Sequence, residues 1–454
     1  MNIIIVGVGY IGLVTGLCFA KLGHNVHFFD TDKDKINKLK NGKLIFYEPK
    51  VKELLEETKS RIHFSDELND LSENDIIFIC TGTPTIDNKI DLSYVKKSAE
   101  KIGGLLKSKS EYKIIVIKST VLPGTTKNIV LPILEKFSDK KAGKDFGLCM
   151  NPEFLREGSA VEDFLYPDRI VIGSSDDKGG KIMSDFYAAI FENVDILNTN
   201  LTTAEIVKYA SNSFFPLLIS FSNEIANICE TVEEKADVED VLNALWLDKR
   251  ISPIIDGKRV DPGIIRYIKA GCGFGGSCFP KDLRAFLQFS KGLNYEPKLL
   301  ESILHINDTQ IIRLIKRAEA AIGDLSSKVI AVLGLSFKPD TDDIRDSPSI
   351  KLISELLKKN AKIKAHDPVA IENTKKILGN EENLEFYNDA FDALKEADVC
   401  FVVTSWKDYF NITQDDFKKF MKGAVVIDCR RIYNPNKMQE IRYIGTGIKD
   451  EFGK

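Results

Sequence analysis

Short, uniformly apolar runs alternate along this chain with longer stretches in which apolar residues recur every three or four positions. Asn2–Val6, Asn25–Phe29, Asp75–Cys80, Lys113–Lys118 and the run ending at Leu148–Met150 are of the first kind. Runs of that length without polar alternation predict strands buried on both faces, as in a parallel sheet. Arg61–Phe64 reads as a further strand. Between them, the stretch through Lys21, then Lys33–Lys40, Glu48–Thr58, Asp91–Lys107 and Thr125–Phe137 carry the helical period. From Leu201 to Val232 the period is helical for roughly thirty residues, and it returns over Glu296–Ala321. Pro216 interrupts the first of these, because it has no N–H for the carbonyl of Asn212, so a kink or local loosening is expected there. Strand and helix alternate again through Lys328–Leu333, Ser349–Lys358, Ala361–Ala365, Asp389–Glu396, Asp398–Val403 and Ala424–Ile427. The pattern is α/β: two doubly wound domains joined by a long central helix. The boundaries it suggests are 1–198, 199–300 and 301–454, with a short charged tail after Ile448 expected to be disordered.

Length and composition bound what the chain does. With 454 residues it supports two to four cores. A net charge of −4 argues against nucleic acid or an anionic membrane as partner. No apolar run reaches membrane-spanning length, and the N-terminus lacks the basic and small-residue marks of a signal peptide. The eight cysteines are scattered without CxxC spacing and the five histidines form no ligand cluster. A cytoplasmic protein with neither disulfides nor a metal is therefore expected.

The first turn carries specific chemistry. Gly7-Val8-Gly9-Tyr10-Ile11-Gly12 follows a strand, opens a helix, and is followed by Asp30 at the end of the next strand. In that context Gly7 makes the tight turn, Gly9 admits a pyrophosphate against backbone, and Gly12 lets helix and sheet approach. Asp30 accepts from a ribose hydroxyl and repels a 2′-phosphate, so NAD is the expected cofactor of this Rossmann-like domain. Two further loops, Thr81–Thr85 and Ser119–Gly124, leave the same sheet edge, and Thr120 there can hold a water or the nicotinamide amide; an N-cap-like hydroxyl is the plainer reading. Glu153 and Glu157 lie four apart and share a face if their segment is helical. Such a pair suits acid–base work or simply a solvated helix start.

Gly271–Asp282, GCGFGGSCFPKD, is the densest signal. Glycines at 271, 273, 275 and 276 allow sharp turns and close approach of a ligand. Pro280 favours a helix start, placing Cys278 at or before its N-terminus, with Lys281 adding charge nearby. Both favour a nucleophilic thiolate; a small buried cysteine in a Gly-rich turn is the alternative. Asp282 can orient a water or a lysine. Lys208 and Asn212 share a face of the long helix, where a solvated stripe is the ordinary explanation. That helix also predicts a dimer contact. Lys338, Arg345, Arg430 and Arg431 offer cations for phosphates, or are plain surface charge.

GVGYIGL, TGTPT, STVLPGTT, NPEFLREG, KYASN, GFGGSCFPKD and GLSFKPDTDDIRDSP, in this order and over nearly the whole chain, resemble the nucleotide-sugar dehydrogenases. The resemblance implies an NAD half and a UDP half, a homodimer built on the long helix, and four-electron oxidation of a sugar CH₂OH to a carboxylate with NAD. UDP-glucose is the sugar nucleotide favoured, with UDP-N-acetylmannosamine or GDP-mannose as alternatives. It implies a Cys278 nucleophile, oxyanion stabilisation by Lys208, substrate placement by Asn212, and a water held by Asp282 and Thr120 with Glu153 as base. Thr83, Lys35, Glu157, Lys281 and Arg345 become cofactor contacts beside Gly7, Gly9, Tyr10, Ile11, Gly12, Asp30 and Thr120. Phe154, Leu155, Lys208, Asn212, Tyr267, Ile268, Lys269, Ala270, Gly271, Phe274, Gly275, Lys338 and Arg430 become substrate contacts. The family's arginine that reaches a neighbouring subunit has two candidates, Arg250 and Arg259, of which Arg259 has the better spacing. A single-hydride β-hydroxyacid dehydrogenase, which needs no cysteine, and a non-catalytic NAD-sensing redox protein are the rival readings.

Overall fold

The computed structural model describes residues 1–71, 76–86 and 89–449. The start of the strand expected at Asp75 and the end of the tail lie outside the described residues. Packing divides the chain into two units, Met1–Ser211 and Asn212–Lys454.

In the first unit the strands are β1 (Asn2–Val6), β2 (Asn25–Phe29), β3 (Ile62–Ser65), β4 (Ile76–Ile79), β5 (Lys113–Ile117), β6 (Phe146–Met150), β7 (Arg169–Ser174) and β8 (Asp195–Asn200). They form one sheet in the order β8-β7-β6-β5-β4-β1-β2-β3. Alternate residues of β1 serve opposite cores: Ile3 and Ile5 join Phe19 and Phe28, while Ile4 and Val6 join Ile77 and Ile115. This two-sided burial is why these strands read as unbroken apolar runs. Five strands end in one row, since Val6 pairs with Phe29 and Ile79, Ile79 with Ile117, and Ile117 with Met150. Strand order reverses between β1 and β4, so the crevice where an open α/β sheet takes its ligand lies beyond Val6 and Ile79.

Two features depart from expectation. Strand β7 pairs antiparallel with β6, through Cys149–Ser174 and Met150–Gly173. The helix expected over Thr125–Phe137 opens with a π-helical turn, Thr126–Val130, before an α-helix over Leu131–Ser138. Pro132 near the start of that helix has no N–H for an α-type bond, which favours the wider turn ahead of it.

The second unit repeats the winding. Strands β9 (Val329–Leu333), β10 (Lys362–His366), β11 (Leu384–Tyr387), β12 (Val399–Val402), β13 (Val425–Asp428) and β14 (Arg442–Gly445) form a parallel sheet ordered β11-β10-β9-β12-β13-β14. Gly334 (φ +93°) follows β9 as Gly7 (φ +96°) follows β1. A Cβ on Gly334 would lie 2.4 Å from Thr404, and one on Gly7 would lie 2.8 Å from the backbone of Thr81. Each glycine thus allows the first turn to press against its neighbour at the switch point.

The 31-residue helix Leu201–Thr231 continues through Pro216, so any loosening at the proline does not end the helix. The missing hydrogen bond costs about 3 kcal/mol, and burial offsets it: Tyr209, Ser220 and Asn223 are buried, and Ser220 donates to the carbonyl of Ile303 at 3.0 Å. No described helix is long and apolar enough to cross a membrane.

Candidate functional site

The carboxyl edge of the first sheet gathers the N-terminal motifs. Asp30 accepts from the backbone N–H of Val8 at 2.8 Å and from Lys35 Nζ at 2.8 Å, so the acidic residue and the glycine loop are one unit. Gly9 precedes the helix Tyr10–Lys21, and a Cβ there would meet nothing within 4 Å. A Cβ on Gly12 would lie 2.0 Å from the Gly7 carbonyl oxygen. Open space at the middle glycine and contact at the outer two is the cradle a pyrophosphate requires. Tyr10 donates its hydroxyl to Glu48 at 2.6 Å, and its ring lies 4.9 Å from that of Phe46. Ile11 is half-buried on the same first turn.

The sequence pattern places Glu48 at the start of a helix over Glu48–Thr58, but that helix begins at Val51 and Glu48 precedes it. Its buried carboxylate accepts from Tyr10, from Gly158 N at 2.6 Å and from Ala160 N at 2.9 Å. It therefore ties the nucleotide loop to the end of NPEFLREG. That segment is not helical, so the shared face proposed for Glu153 and Glu157 does not exist. Carboxylates hold its N–H groups instead: Leu155 N donates to Glu153 at 2.7 Å and Arg156 N to Asp163 at 2.7 Å. Such local side-chain bonds compete with helix formation.

Glu153 is buried and pairs with Lys208: Nζ lies 2.8 Å from Oε1 and 2.8 Å from the Glu153 carbonyl oxygen. The Lys208 ammonium also lies 5.7 Å from the centre of the Phe154 ring, which Arg169 covers at 4.1 Å. Leu155 and Glu157 are half-buried beside them. Thr83 donates to the Thr120 carbonyl at 2.8 Å and Ser119 to that of Thr81 at 2.6 Å, which joins the two edge loops and holds Thr120 half-buried. Lys118, read as an ordinary strand end, is fully buried and donates to Asn151 at 2.9 Å. Burial pushes its pKa down to about 8, against the upward pull of Cys80 and Glu153.

In the second unit Cys278 is the N-cap residue of the helix Phe279–Gly292, with Pro280 in the first turn. It is half-buried, whereas the other seven cysteines are buried, so it is the thiol best placed to meet a ligand. Ser277 Oγ lies 3.4 Å from its sulfur. Asp282, on the first turn of the same helix, is 1% exposed. It accepts from Asn212 Nδ2 at 2.7 Å and from Lys281 Nζ at 2.5 Å. The charge expected from Lys281 beside the thiol is thus paired with Asp282. The helix N-terminus at which Cys278 sits favours the thiolate.

The glycine-rich loop lies on the carboxyl edge of the second sheet. Cys272 N donates to the Cys429 carbonyl at 3.1 Å, and Arg430 bonds the carbonyls of Val403 at 2.9 Å and Gly273 at 3.0 Å. Gly271 N donates to Asn223 at 2.7 Å and Phe274 N to Asn307 at 2.7 Å. A Cβ on Gly275 would lie 2.4 Å from the Asp346 carbonyl oxygen, and one on Gly271 2.8 Å from that of Cys429. These glycines are therefore required by protein packing. Ile268 and Ala270 are buried with Ala226, Val238 and Leu242, while Lys269 is exposed, so only the backbone of those two can reach a substrate. Phe274 is buried against Leu283 and Leu287. The Tyr267 ring lies tilted, 4.3 Å from that of Phe215.

The basic residues separate. The Lys338 ammonium lies 5.6 Å from the centre of the Phe337 ring, and Arg345 pairs with Asp343 at 2.6 Å on the surface. Arg431, suggested as a phosphate ligand, is buried in a pair with Asp237 at 2.9 Å, which removes it from that role. Arg250 pairs with Asp248 on the surface, while Arg259 bonds the carbonyls of Leu247 and Ser252 in a short hairpin. Among the described residues no group of three or more His, Cys, Asp or Glu could hold a metal ion.

Comparison with known proteins agrees with this anatomy. Residues 1–191 match the NAD binding domain of the UDP-glucose/GDP-mannose dehydrogenase family, 202–309 its central domain and 331–435 its UDP binding domain. The chain is 39% identical over 451 residues to UDP-glucose 6-dehydrogenase TuaD of Bacillus subtilis (strain 168), covering 98% of this chain and 93% of that one. It is similar to the structure of a UDP-glucose dehydrogenase from the hyperthermophilic archaeon Pyrobaculum islandicum, with TM-score 0.87, 34% identity, and coverage of 98% of this chain and 97% of that one. It is also similar to a UDP-D-ManNAc dehydrogenase from Pyrococcus horikoshii, with TM-score 0.83, 25% identity, and coverage of 98% and 99%. The chain belongs to the UDP-glucose/GDP-mannose dehydrogenase family: its N-terminal part is the NAD binding domain and its C-terminal part the UDP binding domain.

Proposed function

We propose that this protein oxidises the 6-hydroxymethyl group of UDP-glucose to a carboxylate, giving UDP-glucuronate. The observation that carries the reading is Cys278: a half-exposed thiol capping a helix, next to a buried Asp282 held by Asn212 and Lys281. NAD supplies the hydride acceptor, one equivalent for each of two oxidations, and the Gly9 cradle and Asp30 are the residues that fit it.

The residues divide the work as follows. Loss of a hydride from carbon and a proton from oxygen turns the alcohol into an aldehyde. The Cys278 sulfur then adds to the carbonyl carbon, and the Lys208 ammonium balances charge on the resulting oxygen. A second hydride leaves that carbon, and a thioester to Cys278 remains. Water, oriented by Thr120 and Asp282 and deprotonated by Glu153, attacks the thioester; the C–S bond breaks and the thiolate is restored. Thr83, Lys35, Glu157, Lys281 and Arg345 serve the cofactor, and Phe154, Leu155, Arg430, Lys338 and the 267–275 backbone serve the UDP-sugar.

The domain limits in this reading are 1–198 for NAD, 199–300 for the central region and 301–454 for UDP-sugar. The working form is a cytoplasmic homodimer, with Arg259 presented to the neighbouring subunit. Phe214, Phe221 and Ile228, at seven-residue intervals on the long helix, are 46%, 43% and 53% exposed, which supports a second copy as their cover. The test is NADH released per sugar, measured over UDP-glucose, UDP-N-acetylmannosamine and GDP-mannose. Two NADH per UDP-glucose, with much lower kcat/KM for the others, is expected. One NADH per sugar, or preference for another sugar nucleotide, rejects the assignment.

A further inference from the structure

A carboxylate with no solvent exposure must be satisfied by the protein. Glu205 is 0% exposed and lies three residues before Lys208 on the long helix, hence on nearly the same face. Its Oε2 accepts from Gly124 N at 2.5 Å and its Oε1 from Thr126 N at 2.7 Å. Gly124 has φ +87°, and Thr126 begins the π-helical turn, where leading N–H groups lack helical partners. One charged side chain thus closes the far end of the loop that starts at Ser119 and Thr120. The near end is held separately, by Thr83 on the Thr120 carbonyl and by Ser119 on the Thr81 carbonyl.

We propose that Glu205 is a positioning residue that sets where Thr120 stands relative to Lys208. Its two carboxylate oxygens are both taken by backbone N–H groups. It fixes the Thr120 loop to the helix that carries the oxyanion-stabilising lysine, so that both enter the reaction from one rigid frame. The proposal rests on the reading above that Thr120 and Lys208 serve the oxidation. Charge-assisted bonds to two backbone N–H groups hold such a loop far better than neutral ones. An amide in their place presents an NH₂ group to one of the two donors.

The test uses Glu205→Gln in the full-length protein, with Thr120→Ala and the double variant. Hydrogen exchange of the peptide spanning 119–130 should quicken by about tenfold while exchange elsewhere is unchanged, as for a local opening. The kcat should fall by about tenfold with KM for the nucleotide sugar within twofold. The double variant should be no slower than the slower single variant, because both changes act through one hydroxyl. Should Glu205→Gln not fold, Glu205→Asp, which keeps the charge and shortens the reach, gives the same readouts. Unchanged exchange in that peptide overturns the clamp. Multiplicative losses in the double variant overturn its action through Thr120. If Thr120→Ala alone leaves kcat intact, the role of Thr120 falls, and the exchange result still decides the clamp.

Discussion

Replacing Lys208 by Met keeps an unbranched side chain one atom shorter and removes its charge. In the native protein Nζ lies 2.8 Å from Glu153 Oε1, and both side chains are 4% exposed. At an effective dielectric of about 20 their gross attraction is about 6 kcal/mol, much of it offset by desolvation. Without Lys208, Glu153 keeps the Leu155 N–H on its carboxylate. An uncompensated buried charge of this kind costs about 3–5 kcal/mol. Glu153→Gln should cost less, because the neutral amide still presents an oxygen to Lys208. The double variant should be more stable than the sum of the single losses predicts, with a coupling of about 2 kcal/mol or more. Urea unfolding of the four proteins, followed by circular dichroism, measures it. A coupling below about 0.5 kcal/mol would show the two charges acting independently, and the buried pair would lose its place in the account. The same Lys208→Met protein should lose about 10²–10³ in kcat, the usual effect of removing one oxyanion partner.

The two glycines of the first turn should separate stability from binding. Gly9→Ala places its methyl in open space, so stability should change by under about 0.5 kcal/mol while KM for NAD rises at least tenfold; Gly12→Ala, 2.0 Å from a carbonyl oxygen, should cost about 1–3 kcal/mol on thermal melting. Glu48→Leu should cost about 1–3 kcal/mol by leaving the N–H groups of Gly158 and Ala160 unpaired, measured by urea unfolding. Lys118 has a folded pKa of about 8 against 10.5, so the unfolded chain binds more protons between those values. Stability from this group should therefore rise with pH from about 8 to 10.5, and Lys118→Met should flatten that rise, by about 3 kcal/mol at most. Equal slopes for both proteins over that window would refute the burial of a charged Lys118.

The strands were legible because burial on both faces of a sheet leaves a local mark, an apolar run bounded by turn residues. Gly7, Gly9, Gly12 and Asp30 were legible because one strand–turn–helix–strand run contains all four. Cys278 was placed at a helix N-terminus by its neighbour Pro280. What stayed hidden depends on partners distant in sequence. Glu205 reaches back 81 residues to Gly124, and Glu48 forward 112 residues to Ala160, and neither spacing resembles a capping motif. The packing demand on Gly271 and Gly275 stayed hidden because local sequence cannot reveal Cys429 or Asp346 pressing on them. Glu153 and Glu157 misled for a related reason: Glu153 bonds the N–H two residues on, and the helix their spacing suggested never forms. Lys281 lies beside Cys278 in sequence, yet its ammonium turns to Asp282.

The direct test of the central claim is to quench the enzyme during turnover of UDP-glucose and weigh the peptide containing Cys278. The account predicts a mass increase equal to the acylated sugar nucleotide, on that peptide alone, that decays as UDP-glucuronate appears. In Cys278→Ser it predicts no acid formation at a comparable rate. Two NADH per sugar from the serine variant at the wild-type rate, or turnover with Cys278 unmodified throughout, would contradict it.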